Sequence, residues 1–140
     1  MKTVNGTIEF EGSEYDYRAE LATNDGEGWP DHIIDLDCAD GTSLPDHVNF
    51  EALGDIALEN ARLLDWCERN QWFVEDTGGS CCSFTRSTKR GCLRITRYDD
   101  PSCPQTFAEP IALGRYDADG NAIGPVKIFQ GGIDQYLKER

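Results

Sequence analysis

Four cysteines crowd into the second half of the chain, Cys81, Cys82, Cys92 and Cys103, and two more, Cys38 and Cys67, precede them. Thiols in such number can hold a metal, carry a nucleophile or pair with one another. Structural zinc draws its ligands in close pairs, with two to four residues between them, so that one turn wraps the ion. Here Cys81 and Cys82 are adjacent, and the next spacings leave nine and then ten residues between cysteines. Adjacent side chains in a strand point to opposite faces, so these two would not readily share an ion. A metal on Cys81, Cys82, Cys92 and Cys103 is therefore the weaker reading, and most of these thiols read as small buried hydrophobes. A catalytic thiol needs its pKa lowered by a histidine, a cation or a helix N-terminus. Arg86, Lys89 and Arg90 follow Cys81 and Cys82, but only His32 and His47 could serve as a base, and no spacing places either beside them. Cys81 and Cys82 could also oxidise with Cys92 across a hairpin. No cofactor is expected and no enzymatic activity.

Asp117-Ala-Asp-Gly-Asn121 resembles the opening of a calcium loop, with oxygens at alternate positions. Its glycine does not fall at the sixth position, and the twelfth is Ile128 where a bidentate glutamate is required. A hairpin turn accounts for it better. Glycine-rich phosphate motifs, a Gly-x-Ser-x-Gly elbow and a His-Glu-x-x-His pair are all absent.

Charge is the more informative feature. The chain of 140 residues carries a net charge of −13. Residues 1–68 hold seventeen acids against Lys2, Arg18 and Arg62, whereas residues 69–140 hold nine acids against ten bases. All the excess lies in the front half. Phe84 to Tyr98 runs the other way, with Arg86, Lys89, Arg90, Arg94 and Arg97 and no acid. That basic segment has the density of a nucleic-acid contact, with Phe84 and Tyr98 placed to stack on bases. The field of the remaining molecule would repel phosphates, so direct binding to nucleic acid or to anionic lipid is not expected. The segment could equally meet the chain's own acidic half, or that of a second copy head to tail, giving a homodimer.

These charges need elements to hold them. Thr7 to Glu11 and Glu14 to Leu21 alternate apolar and polar residues around Gly12-Ser13, which predicts a β-hairpin with Ile8, Phe10, Tyr15, Tyr17, Ala19 and Leu21 inward. Its outer face then carries Glu9, Glu11, Glu14, Asp16 and Glu20 against Arg18, a repulsive arrangement across strands. His32 to Cys38 predicts a third strand, with Ile34, Leu36 and Cys38 on one side and Ile33, Asp35 and Asp37 on the other. Between them, Thr23 to Asp31 is turn-rich, and Trp29 stands before Pro30 as either a lid on the core or an aromatic contact for a partner.

Asn49 to Asn70 predicts a long amphipathic helix. At 100° per residue Phe50, Ala52, Leu53, Ile56, Ala57, Ala61, Leu63, Leu64 and Cys67 share about half the circumference. Asn49 is placed to cap it, with Val48 and Leu53 as a hydrophobic staple. Asn60 falls inside the apolar arc and must find a hydrogen-bond partner. Trp66 falls outside it, either covered by the second half of the chain or exposed as an interface anchor. Beyond the helix the pattern predicts a strand at 71–75, a break at 76–80, a hairpin of 80–85 with 92–98 around a basic loop 87–91, a third hairpin of 110–116 with 122–129, and a short closing helix.

The expectation is one α+β domain over residues 1–140, an antiparallel sheet of hairpins with the helix of about 50–70 packed on it. Neither a signal-peptide core nor a run of about twenty apolar residues is present, so no membrane association and a cytoplasmic setting are expected. The function expected is that of a small acidic inhibitor, of the anti-defence or immunity type, whose nucleic-acid-mimicking surface binds a basic, nucleic-acid-handling protein. Its anchors would be Glu9, Glu11, Glu14, Asp16, Glu20, Asp35 and Asp37, with Trp29 and Trp66.

Overall fold

A computed structural model describes residues 2–22, 30–78 and 81–139. The chain is α+β and divides into two compact units, Met1–Asp65 and Trp66–Arg140, with the division inside the long helix.

In the first unit, β1 (Lys2–Phe10), β2 (Ser13–Leu21) and β3 (His32–Cys38) form an antiparallel meander in that order. The first hairpin is tighter than the alternation predicts. Phe10 pairs with Ser13, and the two turn residues are Glu11 and Gly12, both with positive φ (51° and 83°). Two successive left-handed residues make a type I′ turn, whose twist matches that of the flanking strands. Glu11 is therefore a turn residue and not part of the strand face. A second correction concerns β3. A bulge falls where pairing shifts from Arg18–Asp35 to Ala19–Ile33. The extra residue is Ile34, which is 42% exposed, while Ile33 turns in to pack on the core. One added residue reverses the facing of everything beyond it.

Helix α1 (Phe50–Arg69) starts as its sequence dictates. Asn49 Oδ1 accepts from the Ala52 amide at 3.1 Å, and Val48 and Leu53 are both buried in the core. Phe50 departs from the expected arc: it is 50% exposed and is not among the residues packed on the core that Leu53 and Ala57 join. Leu53, Ala57 and Ala61 pack against Val4, Ile8, Tyr15, Tyr17, Ala19 and Leu21.

Asn60 finds its partner inside that core. The Tyr17 hydroxyl donates to Asn60 Oδ1 at 2.6 Å. Tyr17 reaches it by lying over Gly6, its pairing partner on β1, where an added Cβ would stand 2.5 Å from the hydroxyl oxygen. This is an aromatic ring covering a cross-strand glycine. At the other end of the unit, Asp31 joins three elements. It accepts from the Ala22 amide at 2.6 Å and from Arg62 Nε at 2.7 Å. Burial would raise its pKa, but the Arg62 and Ala22 hydrogen bonds and the Arg62 charge outweigh that and hold it below the ordinary carboxylate value.

The second unit opens at the end of α1. Gln71 takes φ 66°, Trp72 N–H donates to Cys67 O at 2.8 Å, and Gln71 N–H donates to Glu68 O at 3.3 Å. These two bonds close a Schellman motif. The hydrophobic contact that accompanies such a cap is here the stack of Trp66 on Trp72, 6.1 Å between centroids at 21°. The chain continues through β4 (Phe73–Gly78), β5 (Cys81–Thr88), β6 (Gly91–Arg97), β7 (Ile111–Asp117) and β8 (Lys127–Phe129), all antiparallel in sequence order, to α2 (Gly132–Glu139). Phe84, Ile95, Ile111, Phe129 and Ile133 are buried, and Tyr136 of α2 meets Phe129 edge-on at 5.7 Å. Of the break expected at 76–80, residues 76–78 belong to β4 and the remaining two lie outside the described residues.

These contacts set three measurable outcomes. Gln71→Gly relieves a side chain held in the left-handed region and should raise stability by about 0.5–1 kcal/mol, read from the urea midpoint. Gly6→Ala should lower it by about 1–3 kcal/mol, since the added methyl meets a ring fixed by its bond to Asn60. Stability should also fall at alkaline pH. Burial raises the Tyr17 hydroxyl above its ordinary value and pushes the Cys67 thiol up to about 12. A group whose pKa is raised by folding stabilises fully below its unfolded pKa and loses that contribution as pH climbs through the folded one. Melting temperature in reductant should therefore hold to about pH 9 and decline above it, the range where free thiols and phenols begin to ionise. A flat profile to about pH 11.5 would contradict this account.

Candidate functional site

Alternation along β2 decides which charges share a surface. Tyr15, Tyr17, Ala19 and Leu21 are buried, so Glu14, Asp16, Arg18 and Glu20 project from the opposite side. Register then brings neighbours beside them. Glu9 of β1 faces Glu14, Asp16 faces Asp37 of β3, Arg18 faces Asp35, and Glu20 faces His32. Six of the seven carboxylates expected on this surface, Glu9, Glu14, Asp16, Glu20, Asp35 and Asp37, lie on one sheet face. Glu11 sits beside them in the turn. Carboxylates at alternate positions of a strand repeat roughly every 6.8 Å, with the next strand about 4.8 Å away.

Two of the cross-strand pairs set a basic side chain beside a carboxylate. Arg18 Nη1 lies 3.6 Å from Asp35 Oδ2, and Arg18 Nε donates to Asn5 Oδ1 at 3.3 Å. His32 Nε2 lies 3.7 Å from Glu20 Oε2. The Pro30 carbonyl, 2.8 Å from His32 Nδ1, can only accept, so the proton of the neutral ring sits on Nδ1. Protonation of Nε2 would then complete an ion pair with Glu20. The other two pairs set like charges opposite each other. Asp16 accepts from Thr7 Oγ1 at 2.7 Å, which orients it without cancelling its charge. A shallow depression over this centre is lined by Asn5, Thr7, Asp16, Arg18, Asp35 and Asp37. Thr7 and Asn5 carry no charge; alternation from Ile8 puts Thr7 on this side, while Asn5 precedes the predicted strand and only the register reveals it as part of the surface.

The two tryptophans named with this face have different outcomes. Trp29 lies outside the described residues. Trp66 is half-buried, stacked on Trp72 and met edge-on by Phe107 at 6.1 Å. Of the two roles open to it, cover by the later part of the chain is the one the structure shows.

The basic segment is partly spent within the second unit. Arg94 Nη2 bonds Glu75 Oε1 at 3.1 Å, and its guanidinium lies 5.0 Å from the Tyr116 ring centroid. Arg97 Nε is 2.7 Å from Glu109 Oε1. Thr88 pairs with Gly91, so Lys89 and Arg90 form an exposed two-residue turn, a tighter connection than the loop of 87–91 expected. Arg86 is half-buried on β5.

The cysteines do not converge on one point. Among the described residues no group of three or more histidine, cysteine or acidic side chains is arranged to hold a metal. Cys82 Sγ lies 2.8 Å from Cys103 Sγ, and the Cys103 amide donates to Cys82 Sγ at 3.1 Å. Burial, followed by the adjoining Cys82 thiol, raises the Cys103 pKa. Cys81, next in sequence to Cys82, takes the other face of β5 by strand alternation. Asp117 Oδ1 accepts from the amides of Asp119 and Asn121, both at 2.9 Å. Its oxygen is thus engaged in closing a turn, as the hairpin reading of 117–121 requires. No helix among the described residues is long and apolar enough to cross a membrane. No family model matches the chain, and neither a characterised protein nor a solved structure matches it at a significant level.

Proposed function

We propose that the protein acts by binding another protein, as an inhibitor whose carboxylate-bearing sheet face occupies a basic surface that normally handles nucleic acid. The observation that carries this reading is the cross-strand placing of Asp16 directly opposite Asp37. Like charges directly opposite on neighbouring strands destabilise a sheet, and a single lysine in either place would remove the repulsion. A face arranged against its own stability suits a surface whose charges are satisfied by a partner. Two-dimensional order matters here as well as amount. Carboxylates held on strands keep fixed spacing, so a complementary array of lysine and arginine can meet them without the loss of freedom that a disordered acidic tail would incur. The excess charge would also speed association with a basic target and make it sensitive to salt.

The test uses Asp37→Lys and the double variant Glu14→Lys with Asp37→Lys. Each replaces a repulsive pair by an attractive one, so stability should rise by about 0.2–1 kcal/mol per pair in urea unfolding. Capture from host lysate at about 50 mM salt should retrieve a basic, nucleic-acid-handling protein with the wild-type chain, and much less of it with the double variant; at about 300 mM salt capture should fall for both. A target held equally well by the double variant would refute the role of this face, and so would one held equally at both salts. Unfolding of the variants would instead make the face structural.

A further inference from the structure

The irregular segment between β6 and β7 doubles back along the end of β5. Cys82 N–H donates to Pro101 O at 3.0 Å, Arg97 N–H donates to Ser102 O at 2.8 Å, and Pro104 is fully buried. These bonds fix the backbone on both sides of the Cys82 and Cys103 side chains, whose sulfurs are 2.8 Å apart. A disulfide is about 2.05 Å long and requires backbones already at bridging distance. Here small side-chain rotations, with each sulfur moving well under an ångström, would close the gap.

We propose that Cys82 and Cys103 are a disulfide-forming pair that locks the segment 98–110 onto the sheet of the second unit under oxidising conditions. The sequence offers Cys81 or Cys82 with Cys92 across the hairpin instead, but the register sets Cys92 opposite Ser87. The reaction is thiol–disulfide exchange with a small-molecule disulfide such as oxidised glutathione. Cys82 is the entering thiol, because burial raises the Cys103 pKa and so suppresses the thiolate that Cys103 would need to attack first. Its sulfur attacks one sulfur of the small disulfide, forming a mixed disulfide and releasing one glutathione thiolate. Cys103 then gives up its proton to solvent and attacks the Cys82 sulfur, expelling the second glutathione as thiolate. Two protein thiols are oxidised and one glutathione disulfide is reduced to two thiols, so electrons balance. Reductant reverses the sequence.

The experiment is incubation of the folded full-length protein with oxidised glutathione, followed by intact mass measurement and peptide mapping without reduction. Wild-type protein should lose the mass of two hydrogens and yield a cross-link between the peptides of residues 70–86 and 98–115. Cys81 and Cys82 fall in the same tryptic peptide, so variants separate them. Cys81→Ser should keep the link and Cys82→Ser should abolish it. The oxidised wild type should melt on the order of 5–10 °C above the reduced form, as expected for closing a loop of this length. Cys82→Ser should show no such difference. Failure to lose two hydrogens, or a link running through Cys81 or Cys92, would overturn the proposal. Should Cys82→Ser not fold, fragmentation of the wild-type cross-linked peptide between residues 81 and 82 gives the same answer.

Discussion

The hydrogen bond from the Tyr17 hydroxyl to Asn60 is the constraint on which the first unit depends. It joins the middle of β2 to the middle of α1 inside an otherwise apolar core, where a polar group without a partner would cost about 1–3 kcal/mol. An apolar interface of sheet on helix tolerates sliding, since one leucine replaces another with small change in energy. A buried hydroxyl that must meet a buried amide does not. Because strand side chains alternate, a slip of one residue would carry Tyr15, Tyr17 and Ala19 to the outside and bring Glu14, Asp16 and Arg18 into the core. The Tyr17 ring also needs the gap above Gly6, so the bond fixes the register of β1 as well as that of β2. The acidic face is thus a consequence of a polar contact on the far side of the sheet.

That face and the second unit treat charge in opposite ways. In the second unit, Arg94 is held by Glu75 and by the Tyr116 ring, and Arg97 by Glu109. Each cation answers a local anion or ring, and the sheet there gains modestly from the pairing. In the first unit, Arg18 and His32 each answer one carboxylate at the long distances of 3.6 and 3.7 Å, while two further pairs oppose like charges. The second unit thus answers Arg94 and Arg97 one by one, whereas the first sets Asp16 opposite Asp37.

Much of this was legible in sequence where local rules act alone. The helix from Asn49 onward, its cap and its staple follow from residue type at fixed spacing, and the carboxylates of β2 follow from simple alternation. Legibility failed where two strands must agree. Nothing local distinguishes a turn at Glu11-Gly12 from one at Gly12-Ser13, because glutamate resists positive φ and only the pairing of Phe10 with Ser13 imposes it. The bulge at Ile34 is likewise invisible, since Ile33 and Ile34 are equally apolar and only the shift opposite Ala19 chooses between them. The Cys82 and Cys103 contact was hidden by 21 residues of separation through an irregular segment; adjacency on a hairpin favoured Cys92 instead.

The end of α1 shows why a helix boundary can be read while its reason cannot. Asn70 and the change of pattern at Gln71 announce a stop, yet neither residue is the glycine that a left-handed cap favours. Gln71 is held in that conformation by its aromatic neighbours: Trp72 must return its amide to Cys67 while its ring lies on Trp66, and Phe107 closes the other side of Trp66. Three aromatic rings offset the backbone strain of one glutamine, which costs on the order of 1–2 kcal/mol. Trp66 reads from sequence either as covered by the second half of the chain or as an interface anchor, because it falls off the apolar arc that buries the preceding turns of α1. Its cover comes instead from Trp72 and Phe107 of the unit that begins at Trp66, while Cys67 beside it is buried on the expected arc.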